Sequence, residues 1–234
     1  MESLKRPLRK LRVRIYELLG NPKYSKPSIN DLDNKLAKYL NFRGGFFIDV
    51  GANDGHLQSN TYYLEKILGW QGVLIEAIPE LYERCRKRRR KSHMFNCALV
   101  AKDYAEPTIE IQFADLMSVV EGARKTSEAQ NKWVADGVRC QNLAESYSVR
   151  VPARTLESVL DELPQPLKID FFSLDVEGYE LNVLKGLNLE KYRPKYILVE
   201  SDFFDEVNDF LADKYELLEK MSYHDYLYRL KETP

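Results

Sequence analysis

Along the chain, short apolar runs alternate with stretches whose apolar residues recur every three or four positions. The runs lie at 46–50, 72–75, 94–100, 108–113, 169–174 and 196–200. Several are almost free of polar residues, the pattern of strands covered on both faces. Residues 59–68, 79–91, 155–162 and 179–187 have helical spacing. This order predicts an α/β fold: one doubly wound, mostly parallel, seven-stranded sheet with right-handed crossovers. Residues 215–221 and 226–230 read as a closing pair of strands around 222–225, which makes the last strand antiparallel. Before the sheet, 9–19 and 31–40 read as helices; Asn21-Pro22 stops the first, and Leu32, Leu36, Ala37 and Leu40 give the second its apolar stripe. The stretch 121–148 is polar with weak periodicity, and long enough for a lid or substrate loop.

With 234 residues, 44% hydrophobic and 30% charged, the chain suits one domain with a substantial core. A net charge of -1 offers no global attraction to nucleic acid or an acidic membrane. No apolar run approaches the roughly 18–20 residues that span a bilayer. The basic N-terminus lacks the long apolar core of a secretory signal. Cys85, Cys97 and Cys140 are odd in number and widely spaced, which argues against a disulfide framework or a CxxC zinc site. A reducing cytoplasm is the expected compartment.

Candidate chemistry begins where the first apolar run, Phe46-Phe47-Ile48-Asp49-Val50, enters Gly51-Ala52-Asn53-Asp54-Gly55. The glycines allow a tight turn and close approach of backbone to ligand. In an open parallel sheet, ligands bind at the carboxyl ends of the strands. The spacing is neither GxGxxG nor a P-loop. Asp49 and Asp54 would repel a pyrophosphate and attract an ammonium or a sulfonium. S-adenosylmethionine carries both cations and no phosphate. Glu76 ends the next run, 21 residues after Gly55, where a carboxylate can accept hydrogen bonds from ribose hydroxyls. A dinucleotide enzyme, or a plain strand–turn–helix with an exposed Glu76, is the competing account of the same residues.

Five segments resemble the FkbM-type methyltransferases: IDVGANDG at 48–55, VLIEAIPE at 73–80, VPARTLESVLDE at 151–162, IDFFSLDVEGYELNVLKGL at 169–187 and PKYILVES at 194–201. They follow the family's order over roughly 44–230, and the last three are more specific than the first. The resemblance implies a Rossmann-like class I methyltransferase domain over 44–234, behind an N-terminal helical extension, 1–43. It also implies S-adenosylmethionine as donor and O-methylation, often of sugar hydroxyls in glycans, glycolipids or secondary metabolites. The cofactor set it implies is Asp49, Gly51, Ala52, Asn53, Gly55, Ser59, Glu76, Ala77, Ala98 and Asp175. Ala77 departs from the family, where a proline often follows the acid; His56 is also less usual. Asp175, Glu177 and Glu180 match the acidic motif after the fourth strand, and Glu200 ends the fifth.

Asp175 and Glu177, two apart, share a side in extended geometry. Glu200 closes the neighbouring strand, so three carboxylates converge near the transferred methyl group. A sugar hydroxyl is a poor nucleophile near neutral pH. A carboxylate or His56 could remove its proton. Alternatively, Asp175, Glu177 and Glu200 could hold a divalent cation such as Mg²⁺ that lowers the hydroxyl pKa. In the plainer reading, Asp175 caps a helix and the glutamates are solvated. His93 and His224 read as structural or surface histidines.

Residues 84–91 carry seven basic side chains in eight and read as a solvated helix face. The rival is an RNA methyltransferase that binds phosphates there. No RNA-binding module is recognisable, so a nucleic-acid partner is not expected, and a small-molecule or glycan acceptor is. A third possibility is a non-catalytic S-adenosylmethionine-binding module. Tyr62, Tyr63, Tyr179 and Tyr223 could stack on sugar faces, and the N-terminal helices offer a surface for a homo-oligomer.

Overall fold

The computed structural model describes residues 11–232. Residues 11–18 are helical (α1), and α2 spans Leu32–Leu40. The central sheet contains β1 (Phe46–Val50), β2 (Gln71–Ile75), β3 (His93–Phe95), β8 (Phe171–Leu174), β9 (Tyr196–Glu200), β10 (Tyr215–Lys220) and β11 (Asp225–Leu230). Its order is β10-β11-β9-β8-β1-β2-β3. β1 pairs in parallel with β2 and β8, β2 with β3, and β8 with β9; β11 runs antiparallel between β9 and β10. The chain therefore reverses direction in strand order beside β1, the switch point where α/β sheets form clefts.

Alternate residues of the strands feed two apolar layers. Ile48, Val50, Val73, Ile75, Phe172, Leu174, Ile197 and Val199 enter one. Phe47, Leu74, Phe171 and Leu198 enter the other, with Leu32, Leu36 and Leu40 of α2. Burial on both faces explains why these strands read as nearly continuous apolar runs. The crossover helices are α3 (Tyr62–Lys66), α4 (Pro79–Arg88), α6 (Leu156–Leu160), α7 (Glu180–Lys185) and α8 (Phe204–Leu211). The first four are each shorter than their periodic stretch, α8 lies in none of the stretches read as helical, and α3 begins three residues later because 59–61 belong to the cofactor loop.

Two features depart from the expected single sheet. The run 94–100 splits into β3 and β4 (Ala98–Leu99). At the break, the Asn96 side-chain amide donates to the carbonyls of Glu76 (2.8 Å) and Ala77 (2.9 Å), tying the turn to the end of β2. β4 then joins β7 (Tyr147–Arg154), β5 (Thr108–Phe113) and β6 (Val119–Val120) in a second, four-stranded sheet. The run 108–113 therefore leaves the central sheet. The stretch 121–148 is also more ordered than a loop: it contains α5 (Ser127–Cys140), whose N-cap Thr126 side chain accepts from the Ala129 amide, and it runs into β7. The second sheet encloses its own apolar cluster with Ile78 and Leu81 of the α4 entry.

Candidate active site

At the end of β1 the chain turns at Gly51, with φ +86°; the amides of Gly51 and Ala52 both donate to the Ile75 carbonyl at 3.1 Å. A Cβ at Gly51 would run into the carbonyl oxygen of Asp175, so glycine is what lets the loops after β1 and β8 meet. Gly55, with φ +77°, leaves equally little room: a Cβ there would stand 2.6 Å from Cys85 Sγ. Glu76, 6% exposed, is clamped from both sides. Its Oε2 accepts the Asn53 amide (2.7 Å) and its Oε1 the Ile78 amide (2.8 Å). Burial pushes its pKa up to about 7, against the opposing pull of those amides.

Asp49 is buried and accepts a hydrogen bond from the Thr61 hydroxyl. Burial raises its pKa, while the charge of Arg89 opposes the rise. Arg89 is itself fully buried. Its guanidinium donates to Glu65 Oε2 (2.7 Å), the Gly55 carbonyl (3.2 Å) and Thr61 Oγ1 (2.9 Å). The solvated-face reading of 84–91 therefore needs correction at this position. Arg84, Arg86, Lys87, Arg88, Arg90 and Lys91 are exposed, but Arg89 pins the cofactor loop to α3. Asp54 is likewise turned out of the site. It pairs with Arg88 at 2.5 Å and accepts the amides of His56 and Leu57. His56 packs edge-on against Tyr62 with ring centroids 4.7 Å apart, and it lines neither cleft.

The loop, β2 and the second sheet enclose a cleft of about 980 Å³, counted with the open space at its mouth. It is lined by Asp49, Gly51, Ala52, Asn53, Ser59, Glu76, Ala77, Ala98 and Asp175, so nine of the ten expected cofactor positions meet there; Gly55 stands behind the wall. Ile78, Leu81, Leu99, Ile111 and Val120 make an apolar side of the kind a flat aromatic base needs. Five carboxylates line it, those of Asp49, Glu76, Asp115, Asp175 and Glu177, and no Lys, Arg or His among the described residues does. Asn53, Gln58, Asp115 and Glu177, all on this wall, hold positive φ, a cost that clusters at functional sites.

A second cleft shares Gln58, Leu116, Asp175 and Glu177 with the first, so the two are continuous. Its far side carries Glu180, Glu200, Ser201, Asp202, Tyr223 and His224; its roof carries Arg124, Trp133 and Gln141 from the segment around α5. Asp175, Glu177 and Glu200 line this cleft together, but not through the extended geometry expected: β8 ends at Leu174, and Glu177 has left-handed backbone with φ +57°. Burial, then neighbouring carboxylates, raises the pKa of all three. Glu177 is paired with Arg124 at 3.2 Å, and the same guanidinium reaches Asp202 at 2.6 Å and lies 3.5 Å from the centre of the Trp133 rings. Glu180 points inward to the Ser201 hydroxyl (3.0 Å) and the Gly178 amide (2.7 Å), fixing the turn rather than facing a ligand.

The sequence did not single out His224 or Asp225 as members of this cluster. The β9–β11 register sets Asp225 opposite Glu200, and the His224 carbonyl accepts the Ser201 amide at 2.9 Å. Only that long-range pairing brings them in. Of the four tyrosines considered, Tyr179 lines the first cleft and Tyr223 the second. Tyr62 is buried, with its hydroxyl on Glu17, and Tyr63 packs on the α2 layer.

Among solved structures, the chain is similar to an FkbM methyltransferase from Methylobacillus flagellatus KT, with 15% identity over 80% of this chain and 43% of that one and a TM-score of 0.47. It therefore spans less than half of that protein's length. An O-methyltransferase from Bacillus cereus, solved with SAH, is similar over 94% of this chain and 89% of its own, with 12% identity and a TM-score of 0.45. No curated protein matches the chain at a significant level. The methyltransferase FkbM domain matches residues 49–230, from the acid of β1 to the end of β11, and the chain belongs to that family.

Proposed function

We propose that this protein is an S-adenosylmethionine-dependent O-methyltransferase acting on a sugar hydroxyl of a glycan, glycolipid or secondary metabolite. The observation that carries the donor is the make-up of the first cleft: five carboxyl groups, four of them held above their ordinary pKa by burial and so favoured to ionise beside a cation, and no Lys, Arg or His on its described wall. Such a wall repels a dinucleotide's pyrophosphate and suits a ligand with a sulfonium and an ammonium. The chain's own groups fit that ligand. Glu76, held rigid by two amides, offers its remaining lone pairs to ribose hydroxyls. The buried Asn60 Oδ1, on the same wall, has no partner among the described residues and can accept from an ammonium. When bound, the donor supplies a methyl group on a cationic sulfur.

Asp175 belongs to both clefts and is the residue proposed to take the proton from the acceptor hydroxyl. Glu200 flanks it from β9, and Glu177, held by Arg124, shapes the rim. An acceptor of the sugar class is supported by the second cleft, which combines the aromatic faces of Trp133 and Tyr223 with carboxylates and the Gln141 amide.

The test is calorimetry with SAH, followed by mass-spectrometric or tritium detection of methyl transfer to glycans, glycolipids and RNA. Binding of SAH with transfer to a hydroxyl of a glycan supports the reading. No SAH binding overturns the donor assignment, and transfer only to RNA overturns the acceptor assignment.

A further inference from the structure

At the floor of the second cleft, Glu200 Oε1 stands 3.2 Å from His224 Nε2, and His224 Nε2 stands 4.0 Å from Asp225 Oδ2. One donor atom of each residue lies within 4.8 Å of the other two. Ligands about 2.1 Å from a common ion stand about 3.0 to 4.2 Å apart, depending on the angle between them, so both measured separations suit a shared ion.

The close pair makes no hydrogen bond. His224 Nε2 is buried and has no hydrogen-bond partner, so the contact with Glu200 lacks donor–acceptor alignment. Asp225 is fully buried, and among the described residues its Oδ1 makes no well-formed hydrogen bond, although the Asn30 side chain and the Lys35 charge lie nearby. A neutral imidazole lone pair facing an ionised carboxylate is repulsive unless a positive charge, a shared proton or a metal ion, lies between them. The nearby side-chain cations are already engaged. Arg124 serves Glu177 and Asp202, and the Lys35 ammonium donates to the Met221 carbonyl at 2.5 Å.

We propose that Glu200, His224 and Asp225 hold a divalent cation facing the acceptor cleft. This set replaces the trio of Asp175, Glu177 and Glu200 expected from the strand ends, because Glu177 is committed to Arg124. Ser222 supplies the outer support: its hydroxyl donates to Asp225 Oδ2, and β-strand pairing fixes Asp225 against Glu200. Two carboxylates and one imidazole suit a first-row divalent ion such as Mn²⁺ or Zn²⁺ better than a thiolate-seeking metal. The ion's role rests on the methyl-transfer reading: it would bind the acceptor hydroxyl and lower its pKa, leaving Asp175 to take the proton.

Purified chain stripped with EDTA is titrated with Mn²⁺, following free Mn²⁺ by electron paramagnetic resonance, with Mg²⁺ and Zn²⁺ as competitors. The expected result is saturable binding that His224→Ala and Asp225→Asn each weaken at least about tenfold. His224 sits on a turn beside exposed Tyr223, so His224→Ala keeps the test valid if the buried Asp225 variant fails to fold. Absence of binding at millimolar Mn²⁺ and Zn²⁺, as a plain His224–Glu200 contact would give, overturns the proposal. Binding that His224→Ala leaves unchanged does so as well. SAH calorimetry on the same samples reports on the donor reading separately, since none of the three ligands lines the first cleft.

Discussion

Replacing Glu76 by Gln tests the donor site at its most constrained point. Both carboxylate oxygens accept a backbone amide, from Asn53 at 2.7 Å and Ile78 at 2.8 Å. The variant keeps one acceptor oxygen and turns an NH₂ donor toward the other amide. A buried N–H left without an acceptor costs about 1–3 kcal/mol, and a hydrogen bond to a charged acceptor lost on the ribose side costs about 1.5–3 kcal/mol. The second loss appears only in binding, so SAH affinity should fall about ten- to a hundredfold. The pH dependence gives an independent reading. The native carboxyl has its pKa raised from 4.5 to about 7, so between those values the folded chain holds a proton that the unfolded chain has released. This group therefore lowers stability as pH rises through that window, while ionisation across it strengthens the acceptor and improves binding. In Glu76→Gln both trends should vanish. Calorimetry with SAH and urea unfolding from about pH 5.5 to 8.5 measures the two together. A folded variant that binds SAH within twofold of wild type, or a wild-type affinity flat across that range, would refute the role given to Glu76.

Arg89→Ala should destabilise the fold by about 3–5 kcal/mol in urea unfolding, because it strands buried Asp49 without a cation and leaves Glu65 only Lys66, and Lys, lacking the fork that reaches Glu65, Gly55 and Thr61, should not restore it. Gly51→Ala should abolish SAH binding or folding, as judged by calorimetry and circular dichroism, because the new methyl group meets the Asp175 carbonyl at a positive φ. Asp54→Asn should leave SAH affinity within about threefold, since that carboxylate faces Arg88, whereas Asp49→Asn should weaken it clearly more. His56→Ala should keep full turnover in a transfer assay, its ring lying against Tyr62 outside both clefts.

The donor half of the site is legible in the sequence because each of its parts is local. A buried parallel strand must be apolar along its length, so Asp49 and Glu76 stand out at strand ends, and the glycines mark the turn between them. The acceptor half depends on pairing across distance. His224 and Asp225 look like turn residues until β11 runs antiparallel to β9 and sets Asp225 opposite Glu200. Arg89 is indistinguishable from its basic neighbours because its partner Glu65 lies on a different helix. Asp54, by spacing alone a second acid for the donor, is diverted by Arg88, an interaction no periodicity reveals. The second sheet escapes detection because β4 and β6 are two residues each, too short to carry a pattern, and β7 buries only Val151 along its eight residues.

Asp175 and Glu177, with Gln58 and Leu116, stand where the two clefts run together. Any charge seated on one side changes the potential on the other through the two acidic side chains, with no hinge or domain movement required. Occupancy on the two sides is then thermodynamically linked, and the linkage is reciprocal: the factor by which a donor analogue alters acceptor affinity must equal the factor in the opposite direction. Order of addition and inhibition by spent donor become properties of the junction these four residues make.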